Sequence, residues 1–310
     1  MALETTCLLP DTRRQQRRRR QRRGLALGAL SAGAFAAMAV LVRGMSERGY
    51  SALQTMLWRS VVQTVCGLAA CGALGVRPHR VLYAWAELRW VVARAVFGGA
   101  GHLLYYAALG RMPLGPATVL FFTNPLFTAL LARWLLGERL LSAQWRLMLA
   151  SLAGVALVVV RPAALAGFEH SAAGPLYALA GALAVAMAYV SVRLAGSRVH
   201  AMVHVVYFGI VGAAGCLALS WLTGEEAWRM PAATLADWAV VLGVGVAAFL
   251  AQFLMNWGLQ LAAAGPVVMM RSSDVVIGFV VDAAVYHTAP PLASTVGAFI
   301  VTACVLLMSL

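Results

Sequence analysis

Lysine is absent: all 24 basic residues of this 310-residue chain are arginine. That excludes a P-loop ATPase, which needs a lysine on the phosphates, and any Schiff-base or pyridoxal-phosphate enzyme, which needs a lysine amine. Charge of either sign is scarce, at 11% of residues, against about 25% in a soluble domain. Asparagine occurs only twice, as Asn124 and Asn256. The five cysteines, Cys7, Cys66, Cys71, Cys216 and Cys304, form no CxxC spacing, so neither a disulfide framework nor a metal centre is signalled. No GxSxG elbow or HExxH zinc motif occurs, and nothing in the chain calls for a cofactor.

Hydrophobic residues abound, at 62% with mean hydropathy +0.82. A bilayer core of about 30 Å takes about 20 apolar residues per helix. Such stretches fall at 25–43, 51–75, 89–110, 114–136, 141–160, 174–193, 200–222, 235–260, 264–286 and 291–310. The expected fold is therefore an all-α polytopic membrane protein with ten transmembrane helices. Arginines followed by an apolar stretch also describe a secretory signal, but the internal repeat described below requires the first stretch as a helix.

The net charge of +13 has a geography. Residues 1–23 hold eight arginines against Glu4 and Asp11, with no aromatic residue, and read as a disordered tail. A basic run before an apolar stretch fixes membrane orientation by staying cytoplasmic, so no nucleic-acid partner is implied. With the tail inside, cytoplasmic positions hold Arg77, Arg80, Arg89, Arg139, Arg146, Arg193 and Arg198. External positions hold Arg43, Arg48, Arg111, Arg161 and Arg229. Both termini are then cytoplasmic. The lysine-free, alanine-rich composition is that of a GC-rich bacterial genome, which by association places the chain in an inner (plasma) membrane.

Shifting the chain by 150 residues aligns the first five stretches with the last five without a gap: Gly24 meets Gly174, Cys66 meets Cys216, and Gly115–Pro116 meets Gly265–Pro266. Five is odd, so the second copy enters the membrane upside down, as in many secondary transporters. The run AVFGGAGHLLYYAALGRMPLGPATVLFFTNPLFTALLARWLLGERL (95–140) then resembles the EamA-type repeat of the drug/metabolite transporter superfamily. The resemblance rests on the small-residue helix ending in ALG, the PLGPATVL entry, Pro125 and the LLGER exit with Glu138. It covers 24–310 as two inverted five-helix repeats, 24–160 and 174–310, joined by a linker at 161–173. It implies secondary transport, with export favoured, of amino acids, amines, carboxylates or drug-like compounds without ATP, and no enzymatic activity. The second repeat departs from the pattern, with Val275 opposite Pro125 and Thr288 opposite Glu138.

Ionisable groups inside spans cost about 2.5–3.5 kcal/mol each, so each needs a reason. Arg271, Asp274, Gly278 and Asp282 project within an arc of about 80° at 100° per residue. They form either an internal ion pair or the wall of a substrate or proton path. Gln252, Asn256 and Gln260 make a second stripe, opposite His102, Tyr106 and Gly110 across the repeat, while Asn124 meets Asp274. Cavity lining and interhelical hydrogen bonding use the same residue types, and both stay open. The expected substrate site comprises His102, Tyr106, Asn124, Gln252, Asn256, Arg271 and Asp274, with Asp282, Glu138 and Arg59 in coupling or gating. Arg59 and Arg271 favour a carboxylate-bearing substrate, and Asp274 and Asp282 suggest protons as a coupling partner. Arg94 is expected to snorkel toward an interface, His200 and His204 to lie at one, and Trp58 and Trp257 to pack on a substrate. Two other classes remain: an intramembrane enzyme, disfavoured because the two deep aspartates share one helix, and a non-transporting receptor or scaffold.

Overall fold

The computed structural model describes residues 10–109, 111–112, 114–159, 173–229, 234–286 and 292–309. They form twelve α-helices. The first half holds α1 (Pro10–Glu47), α2 (Ala52–Ala73), α3 (Trp85–Leu109), α4 (Leu114–Phe121), α5 (Asn124–Leu136) and α6 (Ser142–Val159). The second holds α7 (Ala173–Ala195), α8 (Ala201–Thr223), α9 (Leu235–Leu261), α10 (Ala264–Met270), α11 (Ser273–Tyr286) and α12 (Leu292–Ser309). Seven stretches among the described residues are long and apolar enough to cross a membrane: Gln15–Glu47, Pro116–Leu136, Ser142–Val159, Ala173–Arg198, Ala201–Thr223, Leu235–Leu261 and Leu292–Ser309. The helices α2 and α3 are less apolar because they carry Arg59, Gln63, Arg94 and His102. The pair α10 and α11 is divided into segments of 7 and 14 residues.

The tail differs from the disorder expected of residues 1–23, because α1 runs unbroken from Pro10. Proline suits a first helical position, and the Arg and Gln residues that follow are good helix formers seeded by the apolar helix beyond them. Residues 1–9 lie outside the described residues, as does the expected linker except for Ala173.

Element boundaries recur at the 150-residue offset: α6 begins at Ser142 and α12 at Leu292. Packing recurs with the halves exchanged. The extensive α3–α7 contact is matched by α9–α1, α2–α9 is matched by α8–α3, and α6 meets α12 as α2 meets α8. Each half thus closes on helices of the other. At the α3–α7 crossing, a Cβ built on Gly181 would lie 2.9 Å from the Gly101 carbonyl oxygen, so only glycine permits this approach. Leu25, Phe35, Phe121, Val185, Met255, Val268 and Met270 fill the central core.

Both halves break a helix at matching places. After Phe121 the chain turns through Phe122–Thr123, and after Met270 through Arg271–Ser272. Thr123 donates from Oγ1 to the Leu120 carbonyl at 2.6 Å, and Ser273 donates to the Met270 carbonyl at 2.9 Å. Pro125 explains the first break, since it lacks an N–H and sits in the first turn of α5. The second occurs with Val275 in that place, so the loss of proline from the repeat does not restore a continuous helix.

Candidate functional site

Three arginines converge between the two breaks. Arg59 reaches in from α2, Arg94 from α3, and Arg271 from the α10–α11 break. Arg59 and Arg94 are 4% and 2% exposed, and the three are close enough to feel one another's charge. Their planes gather on aromatic faces. Phe208 lies 4.7 Å from the Arg94 guanidinium carbon and 6.0 Å from that of Arg59, while Phe35 lies 4.3 Å from that of Arg271. Arginine suits such faces because its planar cation attracts the π-cloud and is weakly hydrated.

Partners are unequally distributed. Arg94 donates from Nη2 to Gln252 Oε1 at 2.6 Å and from Nε to Asn256 Oδ1 at 3.5 Å. Its expected snorkelling is therefore corrected: the neutral amide stripe of α9 holds the side chain inward. Arg271 donates to the Tyr189 hydroxyl at 2.8 Å and lies 3.5 Å from Asp274 Oδ2. By contrast, Nε and Nη2 of Arg59 are buried with no hydrogen-bond partner among the described residues. Three cations against Asp274 leave two positive charges in the cluster.

The remaining expected site residues divide. His102 is half-buried, with Nδ1 2.6 Å from the Gly98 carbonyl and its ring 5.9 Å from Phe208, so it joins the cluster. Tyr106 lines a cavity of about 660 Å³ that reaches Ser51, Thr223 and Glu225 at one end of the bundle. Asn124 is 2% exposed and donates to the Phe121 carbonyl at 2.8 Å, capping the helix break. Gln260 donates to the Val199 carbonyl at 2.7 Å and ties α9 to the segment before α8, apart from the cluster. The side chain of Asp282 and residues His287 and Thr288 lie outside the described residues.

Glu138 stands at the opposite end of the bundle from Ser51 and Glu225. Its Oε1 accepts from Arg193 Nε at 2.9 Å and from Nη2, while Oε2 accepts from the Ala264 amide at 3.0 Å. Arg193 also donates to the Leu259 carbonyl at 3.2 Å. One carboxylate thus ties the end of α5 to α7 and to the turn between α9 and α10. Arg20 of the tail helix reaches the neighbouring Gln260 carbonyl at 3.1 Å, so this is the tail's end of the bundle.

Sequence reasoning missed Arg94 and Phe208 as parts of the cluster, whereas Tyr189 had the depth expected of a residue beside the site. Arg94 carried a signal in its charge, but Phe208 looks like any apolar residue. The interfacial reading of the histidines fails only for His204; His200 is exposed at the start of α8. His200 caps α8 by accepting from the Met202 amide at 3.3 Å, whereas His204 is fully buried with both ring nitrogens unpartnered among the described residues. Among the described residues no three His, Cys, Asp or Glu side chains gather as a metal site would require. Trp58 packs edge-on against Trp238 at 5.4 Å, and Trp257 packs against Phe253 at 5.6 Å.

Apolar helices enclosing a buried polar centre define a multi-pass integral membrane protein. The model of the EamA-like transporter family matches residues 22–160 and 172–310, and the chain belongs to that family. It is 28% identical over 292 residues to the pseudopaline exporter CntI of Pseudomonas aeruginosa, covering 92% of this chain and 95% of that one. It is 26% identical over 311 residues to human solute carrier family 35 member G1, covering 96% and 81%. A solved crystal structure superposes with a TM-score of 0.75 over 91% of this chain and 94% of that chain, at 23% identity, and shares the fold.

Proposed function

We propose that this chain is a secondary transporter that exports a small carboxylate-bearing metabolite by alternating access, and that it is not an enzyme. It crosses a bacterial inner membrane ten times as two inverted repeats, 24–160 and 174–310, with both termini cytoplasmic. The observation that carries the substrate class is Arg59, a buried guanidinium with nitrogens unpartnered among the described residues, beside two further arginines. A buried charge left alone costs several kcal/mol. A carboxylate arriving between Arg59, Arg94 and Arg271 would supply the missing acceptor. The breaks support this reading, because the N-termini of half-helices α5 and α11 add positive dipole ends facing anionic groups in transporter sites. Export is taken from the relative named an exporter.

The asymmetry of the two ends supports alternating access. Glu138 straps the tail's end, while the large cavity lies at the other. At the 150-residue offset Glu138 corresponds to Thr288 and Arg193 to Arg43, so the repeat does not carry the carboxylate a second time. Glu138→Ala is accordingly expected to accelerate maleimide labelling of a cysteine placed at Ala263, in a background lacking native cysteines, by about tenfold or more. Two or three charge-assisted hydrogen bonds at about 1.5 kcal/mol or more each hold that end closed. Unchanged labelling would remove the gate from the mechanism.

Transport itself is tested in vesicles of purified protein loaded with a panel of amino acids, mono- and dicarboxylates and amines. Asp274→Asn and Asn256→Ala are expected to impair flux while leaving membrane insertion intact; normal flux in both would displace the site. An imposed pH gradient tests protons as the coupling ion, with Asp274 as the proton carrier. Flux indifferent to that gradient would end that part of the reading, and no flux for any compound would leave a receptor or scaffold.

A further inference from the structure

The 660 Å³ cavity has a counterpart across the repeat that is filled. Its wall on α3 is built by Gly99, Ala100, Leu103 and Ala107, which line it or the smaller 220 Å³ cavity beside it. The residues 150 positions later on α9 are Phe249, Leu250, Phe253 and Trp257. There Phe249 stacks on Phe253 with centroids 6.2 Å apart, Phe253 meets Trp257, and both phenylalanines pack on Cys71, Met202 and Val206. The same backbone frame therefore carries Phe249, Phe253 and Trp257 on one side and the smaller Gly99, Leu103 and Ala107 on the other. Small residues at a site where the fold accommodates large ones leave room for a ligand, at a volume within the roughly 300–1,000 Å³ of small-molecule sites.

The chamber adjoins the arginine cluster. Tyr106 lines it and lies within electrostatic reach of Arg59. Met56 lines both cavities and precedes Arg59 by three residues, which puts the two on one helix face. Cys216 lines the smaller cavity and also lies near Arg59. Leu53, Met56, Leu103 and Leu219 give the large cavity an apolar wall. We infer that the transported anion is amphipathic: its carboxylate meets Arg59, and its apolar part occupies the chamber between α2, α3 and α8. This rests on the carboxylate reading of the site and adds what the other end of the substrate must be.

The test uses the full chain in lipid nanodiscs, titrated with acetate, butyrate, hexanoate and octanoate, with empty nanodiscs subtracted. Affinity is expected to rise about threefold per added methylene beyond butyrate, as each leaves water for the apolar wall. The double substitution Ala100→Leu/Ala107→Trp copies the filled counterpart and is expected to flatten that dependence. Leu103→Phe, a smaller change, is expected to shift the steepest loss to octanoate and serves if the double variant misfolds. A chain-length dependence unchanged in these variants would overturn the chamber, including by a lipid chain occupying it permanently. Acids that bind through Arg59 with flat chain-length dependence would overturn the amphipathic substrate and leave the carboxylate reading standing. Acids that bind no more weakly to Arg59→Met than to the unaltered chain would remove the carboxylate reading instead.

Discussion

Arg59→Met is expected to make the protein more stable and nearly inactive at once. The unaltered chain buries this guanidinium at 4% exposure with Nε and Nη2 lacking hydrogen-bond acceptors among the described residues, and with the Phe208 face 6.0 Å away. Replacing buried charges by apolar residues of similar volume is neutral to stabilising by about 1–4 kcal/mol. For a chain of this size that is a rise in melting temperature of about 2–8 °C. The same substitution removes a charge that would bind the substrate carboxylate. Charged hydrogen bonds contribute about 1.5–3 kcal/mol each, so flux at low substrate concentration should fall by about 10- to 100-fold. Thermal unfolding in detergent and vesicle flux measure the two effects separately. A less stable but fully active variant would show that Arg59 serves the fold and not the substrate.

Gly181→Leu carries the largest expected loss of stability. The added Cβ would meet the Gly101 carbonyl oxygen at 2.9 Å and Leu104 Cβ at 3.4 Å. A backbone atom cannot rotate away, so α3 and α7 must part along their most extensive contact. Overpacking a filled interior costs about 1–3 kcal/mol for modest additions, and a leucine against a carbonyl belongs at or above the upper end. The melting temperature should fall by about 6 °C or more. Gly33→Leu is the matched control, since a Cβ there meets nothing within 4 Å. If both variants melt together with the unaltered protein, the α3–α7 crossing is looser than its geometry.

Much of the fold is legible in particular residues of the sequence. Apolar stretches mark helices because a helix satisfies its own backbone hydrogen bonds in lipid, and each predicted stretch overlaps a described helix, though α1 and α3 begin well before theirs. The 150-residue register was readable from Gly115–Pro116 and Gly265–Pro266, and it returns in the helix boundaries. Position within the bundle was less legible. A rule based on distance from a span end sends Arg94 to the interface, because it cannot know that Gln252 and Asn256 stand opposite with their oxygens turned inward. Val275 stood out in the sequence only as a departure from Pro125 in the repeat, and the turn of the chain at Arg271 and Ser272, made without proline, came from the structure.

Composition and periodicity alone determined that this chain lives in a bilayer, is built twice, and uses neither lysine nor a cofactor motif. Those properties follow from local chemistry: which residues tolerate lipid, and which reactions need which atoms. Only the tertiary structure decided which charges meet. Arg59, Arg94 and Arg271 lie on three different elements, and the residues 150 positions away from them are Gly209, Val244 and Phe121. The repeat therefore predicts no cluster, and the charges come together only when α2, α3 and the α10–α11 break pack around Phe208, Tyr189 and Phe35. Coulomb interaction depends on distance in space, and sequence separation does not encode it.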